Sequence, residues 1–253
     1  MHTAKLAASL LVLLAFVLGA APARAETVNC TAITALPAVI TVQGVYCFTG
    51  DLATAITSGI AIDIQTNNVV LDLNGFKLGG LAAGPGTTAN GIHALNRQNI
   101  TIKNGTIRGF LEGIVIIDTG ASQGHVVEDI RADQNTHTGF DVHGSGNIVR
   151  NNQVVATGGS TAFGVNASAT GIRVFGAGPR VLNNDVITTV KQGTGTARGI
   201  NLSGVAGGLV VNNRITVADR GIDFVSSDGK YRDNLTFDVT TPYTGGTDAG
   251  NNN

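Results

Sequence analysis

Tryptophan is missing from this 253-residue chain, and phenylalanine and tyrosine together make up 5% of it. A β-propeller, whose blades carry repeated Trp-Asp-type signatures, is therefore a poor fit. Charge is also scarce: Asp, Glu, Lys and Arg are 13% of the residues, against roughly 25% in an average globular domain, and they nearly cancel to a formal −1. No basic face is available for nucleic acid, and none for adhesion to anionic lipid by charge. With two cysteines in all, a Cys-x-x-C redox pair is absent and a cysteine-rich zinc site is excluded. No cofactor is indicated, and no cluster is assigned as metal ligands.

Long apolar runs are absent except at the start. Lys5 precedes an almost wholly apolar stretch from Leu6 to Ala20, and Ala23-Arg24-Ala25 places small residues where a signal peptidase cuts, before Glu26. The run is shorter than the roughly 20 residues a spanning helix needs. A cleaved signal over residues 1–25 is expected rather than a membrane anchor, with a secreted or periplasmic product that has no membrane span. Cleavage leaves 14 basic and 17 acidic side chains, a formal charge of −3. In an oxidising compartment Cys30 and Cys47 are expected to form one disulfide, worth about 3 kcal/mol on the chain-entropy model. Two buried free thiols are the alternative.

What the chain has instead is glycine, 35 residues, and a 43% hydrophobic fraction rich in Val and Ile. That is too much apolar material for a disordered chain. A Gly–apolar–x–apolar–x segment recurs six times, at Gly91–Leu95, Gly113–Ile117, Gly139–His143, Gly171–Phe175, Gly199–Ser203 and Gly221–Val225. Short apolar strands ending in Asn-Asn or Asn-Gly alternate with these, as in Ile100–Gly105, Ile148–Asn152, Val181–Asn184 and Val210–Asn213. The stretch His125–Asp133 breaks the pattern, with Glu128-Asp129 where the others carry Asn.

Each repeat has strands too short to bury a face alone, so neighbouring turns must stack into a solenoid. Alternation sends Ile92, Ile114, Phe140, Ile172, Ile200 and Ile222 inward and each x outward. Asn tolerates left-handed backbone at bends, and stacked Asn amides can form a ladder along the axis. The variable spacing puts longer loops at Gly158–Thr170 and Val190–Arg198, and loops on one flank of a solenoid often wall a binding surface. The expected architecture is all-β: an N-terminal cap over 26–60 with a possible helix at Asp51–Ile60, a solenoid over 61–240 of about seven turns, and a loose tail at 241–253. Leucine-rich repeats are excluded, since Leu-x-x-Leu-x-Leu is missing.

With these Gly-Ile-x-Val strands and Asn-rich bends, residues 55–240 resemble the right-handed parallel β-helix repeat proteins of the pectate-lyase-like superfamily. The resemblance implies that fold, which hosts lyases, hydrolases, epimerases and inert spikes alike.

Stacked in register, the first x column reads His93, Val115, Asp141, Arg173, Asn201, Asp223, and the second includes His143 and Phe175. Both are expected to be exposed. Asp141, His143 and Arg173 on adjacent turns could supply the proton acceptor, proton donor and charge-neutralising cation that acid–base work on a uronic acid polymer needs. His93, Phe175, Asn201 and Asp223 would extend a substrate track. Gly139–His143 also resembles the Tyr-Gly-Phe-Asp-Pro-His motif of mannuronan C5-epimerases, which implies active-site roles for Asp141 and His143; Thr138 stands where that family has tyrosine, and Val142 replaces proline. The paired carboxylates of polygalacturonase-like hydrolases are not present as a pattern. Glu128, Asp129 and Asp133 are either a weak Ca²⁺ site or a solvated bend. Two functions follow: a protein that binds an extended polysaccharide along this face, lyase- or epimerase-like, or a non-catalytic structural or adhesion solenoid in which Asp141 and Arg173 are a surface ion pair.

Overall fold

The computed structural model describes residues 29–253; the expected signal segment lies outside the described residues. Among them every regular element but one is a β-strand, and all strand pairing is parallel. The strands stack into a solenoid of about eight turns, a parallel β-helix as the repeats imply.

Three sheets run along it. The first stacks Ala38–Ile40, Ile60–Ile64, Asn90–Leu95, Glu112–Ile117, Thr138–His143, Ala169–Ala177, Ala197–Ala206 and the ends of Arg214–Val225 and Leu235–Thr244. The second runs from Thr31–Ile33 to Thr247–Asp248 through the Asn-terminated strands, and the third from Leu52–Ala53 to Leu235–Thr244. In the first sheet the register aligns Ile92, Ile114, Phe140, Ile172, Ile200 and Ile222. All six are fully buried, as the alternation predicts.

The glycine before each of these has a packing reason. A Cβ on Gly139 would lie 2.5 Å from the Gly171 carbonyl oxygen and 2.7 Å from Val154 Cγ1. Any side chain there would push the strand off the next turn and off the core.

The bends confirm the role of asparagine and refine it. The first residue of each pair is left-handed: Asn104, Asn151, Asn183 and Asn212 have φ of 55 to 58°. Asp129, in the stretch that departs from the Asn pattern, takes the same conformation at φ 54°, so the break is one of residue type and not of geometry. The second asparagine turns inward and is buried. Asn152 Nδ2 donates to Asn184 Oδ1 at 3.0 Å, Asn184 to Asn213 at 2.9 Å, Asn213 to Asn234 at 3.0 Å, and Asn234 to Asn252 at 3.1 Å. Each Oδ1 also accepts a backbone N–H from the preceding turn, which satisfies the bends that the core would otherwise orphan.

Three expectations differ. Asp51–Ile60 is not a helix: Leu52–Ala53 pairs with Leu78–Gly79, and Gly59 turns at φ 89° into the next strand. The described part of 26–60 carries strands that stack as the first turn, pinned by the Cys30–Cys47 disulfide. Residues 241–253 continue the solenoid, with Thr244 in register with Asp223 and Asn252 ending the ladder. These end segments lack the Gly–apolar signature, which is why the repeats lead to about seven turns and not eight.

Candidate functional site

The outward column of the first sheet is Asp63, His93, Val115, Asp141, Arg173, Asn201, Asp223 and Thr244. It points away from the core, yet much of it is covered. Asp141 is 1% exposed, Asn201 6% and Asp223 0%, which corrects the expectation of an open face. The reason lies in the neighbours: long cationic side chains one turn away fold over the short carboxylates.

At the centre, Arg173 Nε donates to Asp141 Oδ1 at 2.8 Å and its NH2 donates to Oδ2. His143 Nε2 is 2.8 Å from the same Oδ1. Burial alone would push the Asp141 carboxyl up, but the hydrogen bonds from Arg173 and His143 outweigh it and hold the group below the usual carboxylate range. An ionised carboxylate only accepts, so the proton on His143 sits on Nε2 and a neutral ring presents Nδ1 as a base. Its ring stacks on Phe175 at 5.3 Å, and Phe175 is 42% exposed.

Four further residues complete the cluster. Glu112 Oε1 is 3.9 Å from Arg173 NH2, and His137 Nδ1 is 3.6 Å from the same oxygen. Thr138, at the tyrosine position of the epimerase motif, is fully buried with its hydroxyl 2.9 Å from His137 Nδ1. Phe163 packs its edge on the His137 ring at 4.9 Å while remaining 52% exposed. It comes from the 158–170 loop, which is tied to neighbouring loops by Thr161 N–H to Pro85 O at 3.0 Å, Gln192 N–H to Ala167 O at 2.8 Å and Thr194 N–H to Asn166 Oδ1 at 3.0 Å. Three loops are thus tied together beside His137.

Of the residues singled out in the sequence, Asp141, His143, Arg173 and Phe175 come together. His93 does not join them: Val115 separates it from Asp141 in the column, and its Nδ1 pairs with Asp63 at 2.9 Å. Asn201 and Asp223 lie on the other side, with Asn201 Nδ2 donating to the Asp223 carbonyl. Glu112, His137 and Phe163 were missed. Glu112 was legible, because it occupies the residue before a column glycine, a position stacked as regularly as the x positions. The acidic bend is engaged elsewhere: Arg150 Nε donates to Glu128 at 2.7 Å, and Arg108 lies 3.1 Å from Asp133. No helix among the described residues is long and apolar enough to cross a membrane.

No protein-family model and no curated protein matches the chain. Two solved structures are similar in fold. One is the enzymatically active domain of tailspike protein 2 from bacteriophage CBA120, with a TM-score of 0.57 at 15% identity over 88% of this chain. The other is the Dettilon tailspike protein, with a TM-score of 0.50 at 14% identity over 88% of the chain. The chain spans 41% and 59% of their respective lengths. At these identities the likeness is one of fold.

Proposed function

We propose that this solenoid acts outside the cytoplasm and binds an extended polysaccharide along its first sheet, centred on Glu112, Asp141, His143 and Arg173. The observation that carries this reading is the pairing of two half-exposed aromatic rings, Phe163 and Phe175, around a fixed polar centre. Flat apolar faces beside convergent donors and acceptors suit sugar rings. One of the two fold neighbours is an enzymatically active tailspike domain, and the Cys30–Cys47 bond fits an oxidising compartment.

Any chemistry on the bound polymer falls to His143. Asp141 is saturated by Arg173 and His143 and serves to orient them, while His143 Nδ1 is the base for a lyase- or epimerase-like proton abstraction. Arg173 would sit against a substrate carboxylate, and Asn201 and His93 would extend the track. The burial of Asp141 and Asp223 beneath arginines favours a second reading, a non-catalytic solenoid in which these pairs only hold adjacent turns together.

A glycan array on the mature protein, with and without Ca²⁺, separates the two. Retention of a glycan that is weakened up to about tenfold by Phe175→Ala supports binding at this face, given ~0.5–1.5 kcal/mol for a stacked ring. His143→Ala should then abolish turnover of a uronate polymer with binding nearly intact. Failure to retain any glycan, with the protein folded, would leave the structural reading.

A further inference from the structure

Beyond the central cluster, the same sheet carries a second constellation in which two arginines share one carboxylate. Arg198 and Arg220 are direct register partners on adjacent strands, about 4.8 Å apart at the backbone. Like charges placed so are destabilising unless something bridges them. Asp223 does: its Oδ2 accepts from Arg198 Nε at 2.9 Å and from Arg220 NH1 at 2.9 Å. The carboxylate is fully buried, whereas the arginine side chains are 24% and 40% exposed. One carboxylate thus holds two part-exposed guanidiniums in place, while nearby Asp219, paired with Lys191 at 3.0 Å, also acts on Arg198.

We propose that Arg198 and Arg220, clamped by Asp223, form a subsite for an oxyanion substituent (carboxylate, sulfate or phosphate). The central cluster contrasts with it. There one arginine, Arg173, faces two carboxylates, Glu112 and Asp141. The first sheet therefore carries one arginine on two carboxylates at the Glu112 turns and two arginines on one carboxylate at the Arg220 turn. An extended acidic polymer with one carboxylate against Arg173 places a further oxyanion at Arg198 and Arg220, so the two sites together set the direction in which it lies. Guanidiniums held by a buried carboxylate need little ordering on binding, which favours affinity.

The extension to a polymer rests on the polysaccharide reading, but the subsite itself is testable without it. Sulfate is titrated into the folded protein while the arginine side-chain Nε–H resonances are followed by NMR. The expected result is a saturable shift of the Arg198 and Arg220 signals in the wild type, with the Arg198 shift lost in Arg220→Gln and retained in Arg220→Lys. Absence of a saturable shift at these two residues overturns the subsite. In a second arm, calorimetry compares a polyuronate, a sulfated glucan and the neutral glucan. Arg220→Gln should weaken the acidic polymers about tenfold, the worth of one charge-assisted hydrogen bond, and leave the neutral polymer unchanged. Unaltered binding of the acidic polymers by Arg220→Gln also overturns the subsite. If sulfate binds and no polymer does, the subsite stands and the polysaccharide reading falls.

Discussion

Asp141 shows how a single buried carboxylate organises its neighbourhood. It is 1% exposed and accepts hydrogen bonds from Arg173 and His143, so truncating one partner strands a charge away from water. Arg173→Ala should cost about 3–5 kcal/mol, and the Asp141→Asn/Arg173→Ala double variant should cost less than the two changes summed. Urea denaturation of the four proteins measures the coupling; simple additivity would show that the pair is solvent-screened after all. His125 makes a different case. It is fully buried, accepts the Ile100 N–H on Nδ1 at 3.3 Å and sits 2.7 Å from Ser122 Oγ through Nε2. Burial lowers its pKa from 6.5 to about 4. A depressed pKa means that the neutral ring stabilises the fold fully above pH 6.5, and that this contribution drains away as pH falls toward 4. The difference corresponds to about 3 kcal/mol. Unfolding free energies of wild type and His125→Gln, measured at pH 7.5 and pH 4, should converge by about that amount; a pH-independent gap would rule out the neutral buried ring.

At the scale of elements, the inner asparagine ladder joins the later turns. Asn213 Oδ1 accepts both the backbone N–H and the Nδ2 of Asn184, and its own Nδ2 donates to Val181 O and Asn234 Oδ1. Asn213→Leu would fill similar volume but leave several buried groups unpaired, at about 1–3 kcal/mol each by the usual penalty. A loss of about 3–5 kcal/mol is expected, read from chemical denaturation. The exposed ladder neighbour Asn212 serves as control, since water can replace its bonds, and Asn212→Gly keeps the left-handed backbone and should cost under about 1 kcal/mol. Equal effects at the two positions would mean that the inward amides carry no special weight.

For the molecule as a whole, stability is a sum of turns and of the contacts between them, and the first turn has a neighbour on one side only among the described residues. Its strands are short, three residues at Thr31–Ile33 and two at Leu52–Ala53, and the Cys30–Cys47 bond holds it closed. A paired Cys30→Ala/Cys47→Ala variant should lose about 3 kcal/mol of stability. The melting temperature in the absence of reductant reports it, and an unchanged value would mean that stacking alone secures the end.

The sequence by itself determined the solenoid. Alternation in Gly-Ile-x-Val placed the inward column, and Asn pairs marked the bends, because both signals are local and repeat at every turn. It also brought Asp141, His143, Arg173 and Phe175 together, since register in a parallel stack follows directly from repeat position. Only the tertiary structure decided what those side chains meet. Exposure of Asp141 and Asp223 depends on how the long arginines of adjacent turns lie over them. Phe163 reaches His137 through a loop whose path is set by contacts with two other loops. The ends escaped the repeat logic for the same reason: a strand such as Leu52–Ala53 forms because its neighbour Leu78–Gly79 offers an edge, and no pattern of its own residues announces it.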